Sequence, residues 1–347
     1  MVDKVRIRAA AGGEFSVAAR LFVLAAGGIE NPRLLLLSNQ TYPEGLGNGN
    51  DLVGRFFMEH LVVNRGVLQP RSRELFRNLK LYQRNVVDGV PILGALRLRE
   101  SVLREQQLLS VVLSPFVGQR EFFSEGFRSL ATFVGYLKQR RLPRRALKTL
   151  YDIARSVPAT ARGSYLLLSH ADLSQPSFLG MLPHMEQSPQ ADNRVTLSRE
   201  RDQLGLQRAQ LTWRAGDLEE HSLRRTMDIF GDEVASAGIG KLQFKLSPGE
   251  LRRLFHVSHH NMGATRMHHD PKQGVVDQDC RVHGTANLFI AGSSVFPTSG
   301  GATVTLTALA LAIRLADHIK TLLSDPAIRV SSATASLEAG GDSAALT

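Results

Sequence analysis

The stretch from Asn287 to Lys320 leaves few choices of local fold. Asn287-Leu-Phe-Ile-Ala291 is short and apolar, the pattern of a buried strand. A loop of small residues, Gly292 to Gly301, follows, and an apolar helix begins near Thr303. Strand, loop and helix in this order put polar groups beside a strand end and a helix N-terminus, a common ligand site in α/β proteins. Just upstream, His259 to Met267 forms a His-rich loop punctuated by Gly263, and Gly274-Val-Val-Asp277 follows it.

A second junction of this kind lies near the start. Val5 to Val17 predicts a β-hairpin: Val5 and Ile7 alternate with Arg6 and Arg8, Gly12-Gly13 makes the turn, and Phe15 and Val17 return. Leu21-Phe-Val-Leu-Ala-Ala-Gly-Gly28 is a continuous apolar strand ending in small residues, as expected of a strand buried on both faces. Pro32 suits the first turn of a helix running on through Leu37. Glycines at the strand end let a ligand approach the backbone, and the helix N-terminus favours anionic groups. The alternative for this unit is a plain packing junction.

Composition closes off other classes. An apolar fraction of 43% with 21% charged residues is ordinary for a globular protein, and no apolar run reaches the length of a membrane span. The single Cys280 rules out an internal disulfide and fits a reducing compartment, so the expected location is cytoplasmic. The net charge of +10 gathers in part around Lys138–Lys148. No zinc-finger spacing or RNP-type aromatic strand accompanies it, so nucleic acid is not an expected partner. A solvated basic helix face is the favoured reading, with an acidic partner or membrane surface left open.

The middle of the chain is less informative. Leu61 to Tyr165 carries no motif beyond a strand-like piece, Leu108–Phe116, and the basic helical stretch Arg140–Ala154. Tyr165–Ser169, Leu182–Gln187, Arg194–Ser198 and Leu211–Trp213 predict successive strands of an antiparallel meander. Asp217 caps a helix reaching Phe230, whose Leu223, Met227 and Phe230 would pack on the sheet. Ser331–Thr347, rich in Ala, Ser and Gly, is expected to be a disordered tail.

Several of these pieces, taken in order, resemble the glucose–methanol–choline (GMC) family of flavin oxidoreductases. They are H-x-x-G-x-T-x-M at His260–Met267, GVVD, RVHG, NLFIAGSSVFPT and the TLTALALAIRLADHI helix. Upstream, AAGGIENPRLLLLS and Asp51-Leu-Val-Gly-Arg-Phe-Phe-Met-Glu-His60 are similar to family segments as well. The family's opening G-x-G-x-x-G fingerprint has no match in the chain, which resembles a C-terminal portion of a GMC protein. The resemblance implies an α/β (α+β) fold. A partial Rossmann-like FAD-binding domain would span residues 1–55, and a substrate domain with a mostly antiparallel sheet backed by helices residues 56–255. Residues 256–325 would return to the FAD domain, with a tail at 326–347.

The resemblance also implies chemistry. Oxidising an alcohol by hydride transfer to flavin requires removal of the hydroxyl proton, a task suited to neutral imidazole. The matching histidine is His260, with adjacent His259 the alternative if the register slips by one. His60 falls near the site without an assigned chemical role. FAD would lie against Ala25, Gly27, Gly28, Asn31, Gly292 and Ser293, with Thr303 and Val304 opening the helix aimed at its pyrimidine edge. The family usually places His or Asn before that helix, beside the catalytic His; here the position is Thr303, which offers fewer hydrogen bonds. No metal is expected, because His268, His269 and His283 lack acidic or thiol neighbours at ligand spacing. The expected function is oxidation of the CH–OH group of an alcohol or sugar, the electrons passing to oxygen, a quinone or a redox protein. The alternative is a non-catalytic lobe acting as a subunit or binding module, and an N-terminal FAD-binding segment is a candidate partner.

Overall fold

The computed structural model describes residues 1–9, 12–63, 66–118, 124–143, 145–169, 178–244, 246, 249, 251 and 255–324. The chain begins with β1 (Lys4–Arg8), β2 (Glu14–Ala18), β3 (Phe22–Leu24) and α1 (Gly27–Leu37). Next come β4 (Leu61–Val63), β5 (Gly66–Pro70), a 3₁₀ segment (Arg73–Tyr82), β6 (Asn85–Val87), β7 (Val90–Ile92), β8 (Leu96–Arg97), α2 (Glu100–Glu105) and β9 (Val111–Gly118). Three helices follow: α3 (Glu125–Lys138), α4 (Ala146–Arg155) and α5 (Val157–Leu168). The remainder runs β10 (Phe178–Met185), β11 (Arg194–Arg201), β12 (Gln207–Thr212), α6 (Asp217–Ser236), β13 (Gly240–Gln243), β14 (Phe255–Val257), β15 (Leu288–Ile290) and α7 (Thr305–Ser324). The fold is therefore mixed α/β, with mostly antiparallel sheets.

Two compact units divide the chain. The first gathers Met1–Leu61, Met185–Glu219 and Val257–Thr347; the second holds Val62–His184 and Glu220–His256.

In the first unit β3 and β15 pair in parallel, Phe22 opposite Leu288 and Leu24 opposite Ile290. Phe22, Phe289, Ile290, Val275, Val276 and Val282 gather there into the main core. Parallel pairing aligns the C-terminal ends of the two strands, so the loops leaving them, at Ala25 and Gly292, lie side by side. The hairpin of β1 and β2 forms as expected, Lys4 opposite Ala18 and Arg8 opposite Glu14. β11 and β12 make a second antiparallel hairpin. Arg33 of α1 reaches it, bonding the Gln207 carbonyl at 2.7 Å and the Asp202 carboxylate at 2.7 Å.

In the second unit one sheet runs β13-β5-β10-β4-β14, with β9 added to β10 and β8 to β9. α6 buries Leu223 and Met227, while Phe230 is half-buried. A methyl group added at Gly66 of β5 would lie 3.2 Å from Met227 Cε, which places the helix against this sheet.

Five expectations need correction. Tyr165–Leu168 is the last turn of α5, not a strand: the apolar run sits at the end of twelve helical residues. β10 and the β11–β12 hairpin belong to different sheets and do not form one meander. α1 starts at Gly27, so Pro32 lies inside the helix, where the two glycines occupy the opening turn. Val23 is 43% exposed, so β3 is not buried on both faces. The final helix starts at Thr305, two residues beyond the expected position. The predicted tail at Ser331–Thr347 lies outside the described residues.

Candidate active site

The site is built on a short antiparallel contact between distant segments. Met58 and Met262 form a β-bridge, each backbone N–H donating to the other's carbonyl at 2.9 and 3.0 Å. In antiparallel register, two residues beyond Met58 stands opposite two residues before Met262, and both side chains share a face. Those residues are His60 and His260. Gly263 permits the contact: its φ is +81°, and a Cβ there would meet the Phe56 carbonyl oxygen at 2.3 Å.

The two imidazoles meet through their Nδ1 atoms at 3.0 Å, the rings nearly perpendicular at 87°. The other nitrogen of His60, Nε2, lies 2.8 Å from the Gly300 carbonyl oxygen and 3.3 Å from that of Ser299. A carbonyl only accepts, so Nε2 of His60 must carry hydrogen. In neutral His60, Nδ1 is then the acceptor, and the hydrogen between the rings belongs to Nδ1 of His260. That leaves Nε2 of His260 unprotonated, with its lone pair available as a base. The pKa of His260 is lowered by partial burial first, and then by the neighbouring His60 and His259. Each cause disfavours the imidazolium form and keeps the ring neutral near neutral pH.

A buried polar frame holds this pair. The Glu59 carboxylate accepts the His260 backbone N–H at 3.1 Å. Burial pushes the Glu59 carboxyl up, against backbone N–H groups of His260, Ser258 and His259 that favour its charged form. Gln187, fully buried, ties the frame together. Its Oε1 accepts the Glu59 backbone N–H and the Trp213 indole N–H, both at 2.9 Å. Its own backbone N–H donates to Ser299 Oγ at 2.9 Å, and that hydroxyl donates to the Gln187 carbonyl at 3.0 Å. Ser299 adjoins Gly300, so one glutamine fixes both the segment bearing His60 and the carbonyl that sets its tautomer.

The expected cofactor residues fall at the neighbouring strand ends. Ala25 and Gly27 are exposed at the end of β3. Gly27 and Gly292 have φ of +93° and +124°, and a Cβ at either would meet nothing within 4 Å. They frame open space beside the α1 N-terminus. Gly28 differs: its Cβ would sit 2.4 Å from the Asn261 carbonyl oxygen, so it seats the His260 loop. Ser293 holds the same loop, its hydroxyl donating to the Asn261 carbonyl at 2.7 Å. Asn31 is fully buried and joins the two strand ends, accepting from the Ala26 N–H at 2.8 Å and donating to Ser294 Oγ at 3.0 Å. Val304 packs on the main core, and its carbonyl accepts the first helical bond of α7 from Ala308.

Thr303 is exposed and, among the described residues, makes no hydrogen bond to His260. The group that does is His60. His259 is exposed with φ of +58°, turned out of the chain direction that His260 follows. His268 stacks on His269 and accepts the Asp270 N–H, while His283 donates to the His268 carbonyl at 2.9 Å. Among the described residues no three His, Cys, Asp or Glu side chains gather as a metal site. Glu59, Gln187 and Ser299 were not expected from sequence. Only the position of Glu59 beside His60 in the Phe-Met-Glu-His run hints at one of them.

Residues 189–312 match the family model described as GMC oxidoreductase. The fructose dehydrogenase large subunit of Gluconobacter japonicus is 30% identical over 321 residues, covering 87% of this chain and 47% of that protein. The 2-methyl-1,2-propanediol dehydrogenase of Mycolicibacterium austroafricanum is 26% identical over 331 residues, covering 90% and 50%. The 6'''-hydroxyparomomycin C oxidase of Streptomyces lividus is 26% identical over 313 residues, covering 89% and 47%. The chain spans about half the length of the curated relatives it matches. Its C-terminal signature, the matched residues 189–312 and these relatives agree that the chain carries a C-terminal domain of the GMC oxidoreductase family.

Proposed function

We propose that this chain supplies the base and half of the cofactor cradle of an FAD-dependent oxidoreductase acting on the CH–OH group of an alcohol or sugar. The observation that carries the reading is the chain of hydrogen bonds from His260 through His60 to the Gly300 carbonyl. It leaves Nε2 of His260 basic, and Nε2 takes the substrate hydroxyl proton. The imidazolium so formed keeps its Nδ1–H bond to His60, so the ring does not reorient on protonation. Glu59 holds the His260 backbone during this step. Thr303, exposed at the start of the α7 region, is available to hydrogen-bond the substrate oxygen.

The open space beside Gly27 and Gly292 fits a group that approaches the backbone closely, and the α1 N-terminus suits an anionic part of it. Ala25, Gly27, Gly292 and the first turn of α7 would hold FAD, with Gly28, Asn31 and Ser293 setting the shape of the cradle. The chemistry supplied by bound FAD is acceptance of hydride from the alcohol carbon. Loss of a hydroxyl proton to His260 and a hydride from carbon leaves a carbonyl product. The relatives' names, a sugar dehydrogenase and a diol dehydrogenase among them, support this substrate class.

A second reading has its own support. Leu306, Leu309 and Ile313 are exposed on α7, Leu306 at 78%, and β3 pairs only with β15 among the described strands. This apolar surface suits a further FAD-binding segment, and without one the chain would be a non-catalytic lobe. The test is to add FAD to the protein, remove the excess, record the absorption spectrum and then add alcohols and sugars. Retained flavin bands that bleach with substrate, and no longer bleach in His260→Ala, are expected. Bleaching at the unchanged rate in His260→Ala would overturn the reading.

A further inference from the structure

The three helices α3, α4 and α5 of the second unit leave many of their apolar residues exposed. In α4 the apolar stripe is Leu147, Leu150, Tyr151 and Ala154, spaced i, i+3, i+4, i+7 on one helix face. None of these residues is buried, and Leu147 is 85% exposed. The inward side of the helix is mixed, carrying Thr149 and Asp152 beside half-buried Ala146 and Ile153. Asp152, its side chain only 12% exposed, lies 3.4 Å from Ser129 Oγ of α3 and 2.9 Å from Lys148 Nζ. In α5, Val157, Tyr165 and Leu168 repeat the arrangement, with Tyr165 68% and Leu168 77% exposed. A contiguous apolar stripe that the helix leaves exposed is a face for something other than its own core.

Charge identifies what that something is. Between Lys138 and Arg162 the chain holds eight Lys and Arg residues against one acidic residue, Asp152, a local net charge of +7 out of +10 for the protein. Lys138, Arg140, Arg141, Arg145 and Arg155 are exposed around the ends of α3 and α4. A second copy docking through this face would bring two such charges together. Nucleic acid would satisfy the cations but gain nothing from exposed leucines. A surface of anionic lipid headgroups over hydrocarbon satisfies both. Among the described residues no helix is long and apolar enough to cross a membrane, which leaves helices lying in the interface plane. We infer that the α3–α5 face is a docking surface for an anionic lipid bilayer. Leu147, Leu150 and Tyr151 enter the acyl boundary, and the surrounding cations contact phosphate headgroups.

The experiment is flotation of the full chain with vesicles of phosphatidylcholine alone and of phosphatidylcholine mixed with phosphatidylglycerol. Binding to the mixed vesicles, weakened by salt, and little binding to the neutral ones are expected. The Leu147→Ser/Leu150→Ser variant should lose about tenfold in affinity per leucine. Arg140→Gln/Arg141→Gln should lose about fivefold per charge. All four side chains are exposed, so unchanged circular dichroism is expected of both variants. Three results would overturn the inference: no binding to either vesicle type, equal binding to both, or binding that neither variant changes. Light scattering that shows a dimer dissociated by Leu147→Ser/Leu150→Ser would also overturn it, making a second copy the occupant.

Discussion

His60 and His260 share one hydrogen between their Nδ1 atoms, 3.0 Å apart, and the Gly300 carbonyl decides which ring owns it. His60 is therefore a positioning residue: it fixes the tautomer of His260 without itself needing to touch substrate. Replacing it with leucine removes the acceptor and lets His260 move its hydrogen to Nε2. His60→Leu should lower kcat about tenfold to hundredfold with KM little changed, less than the ~10²–10⁴-fold expected for loss of the base itself. Steady-state kinetics on flavin-loaded protein checks this, and a selective rise in KM would assign His60 to substrate binding instead.

Burial and the two neighbouring histidines lower the pKa of His260. The base form is the active one, so the rate should fall as the pH drops, with a midpoint below the ordinary histidine value of ~6.5. The rate should be level through neutrality. A pH profile of kcat/KM measures this, and a midpoint above that value would contradict the assigned environment.

Gln187 satisfies the Glu59 backbone N–H and the Trp213 indole N–H from one buried oxygen. Gln187→Leu strands both donors. With about 1–3 kcal/mol for each unsatisfied buried group, the loss should come to about 2–6 kcal/mol. Chemical denaturation would show this as a lower midpoint at unchanged slope.

Burial raises the pKa of Glu59. A folded-state pKa above the unfolded value means stability that is full below the unfolded pKa and lost as pH rises through the folded one. Glu59→Gln removes that titration and keeps an acceptor for the His260 N–H. The Tm of the variant relative to the parent should therefore climb as pH rises through and beyond the carboxylate range. A relative Tm that falls over that interval would mean the ionised carboxylate is the favoured form.

The glycines of the cradle separate two roles. Gly28→Ala drives a Cβ into the Asn261 carbonyl at 2.4 Å and should displace the His260 loop, lowering both stability and kcat. Gly292→Ala meets no atom within 4 Å but must hold φ of +124°. It should cost about 1–3 kcal/mol and reduce flavin retention by filling the open space. Comparing bound flavin with kcat per bound flavin in the two variants distinguishes the roles.

What the sequence made legible was local. The β1–β2 hairpin and the β15–loop–α7 unit announce themselves through alternation, glycines and an apolar helix. Tyr165–Leu168 misled because four apolar residues at the end of an exposed helix carry no inward-facing periodicity to mark it as helical. His260 stood out by resemblance to the family motif. The same resemblance put His60 near the site but gave it no role, because it lies 200 residues away and meets His260 only through the Met58–Met262 bridge. Gln187 and Ser299 were silent, since a buried polar frame is a property of tertiary pairing and leaves no period in the chain.

Catalysis rests on Nε2 of His260 being the unprotonated nitrogen, held so by His60. Nitrogen-15 NMR of histidine-labelled protein near neutral pH reads this directly, with His260→Gln assigning the resonances. A pyridine-like Nε2 and a protonated, pyrrole-like Nδ1 are expected for His260, with the reverse pattern in His60. A protonated Nε2 on His260, or averaging between its two tautomers, would contradict it.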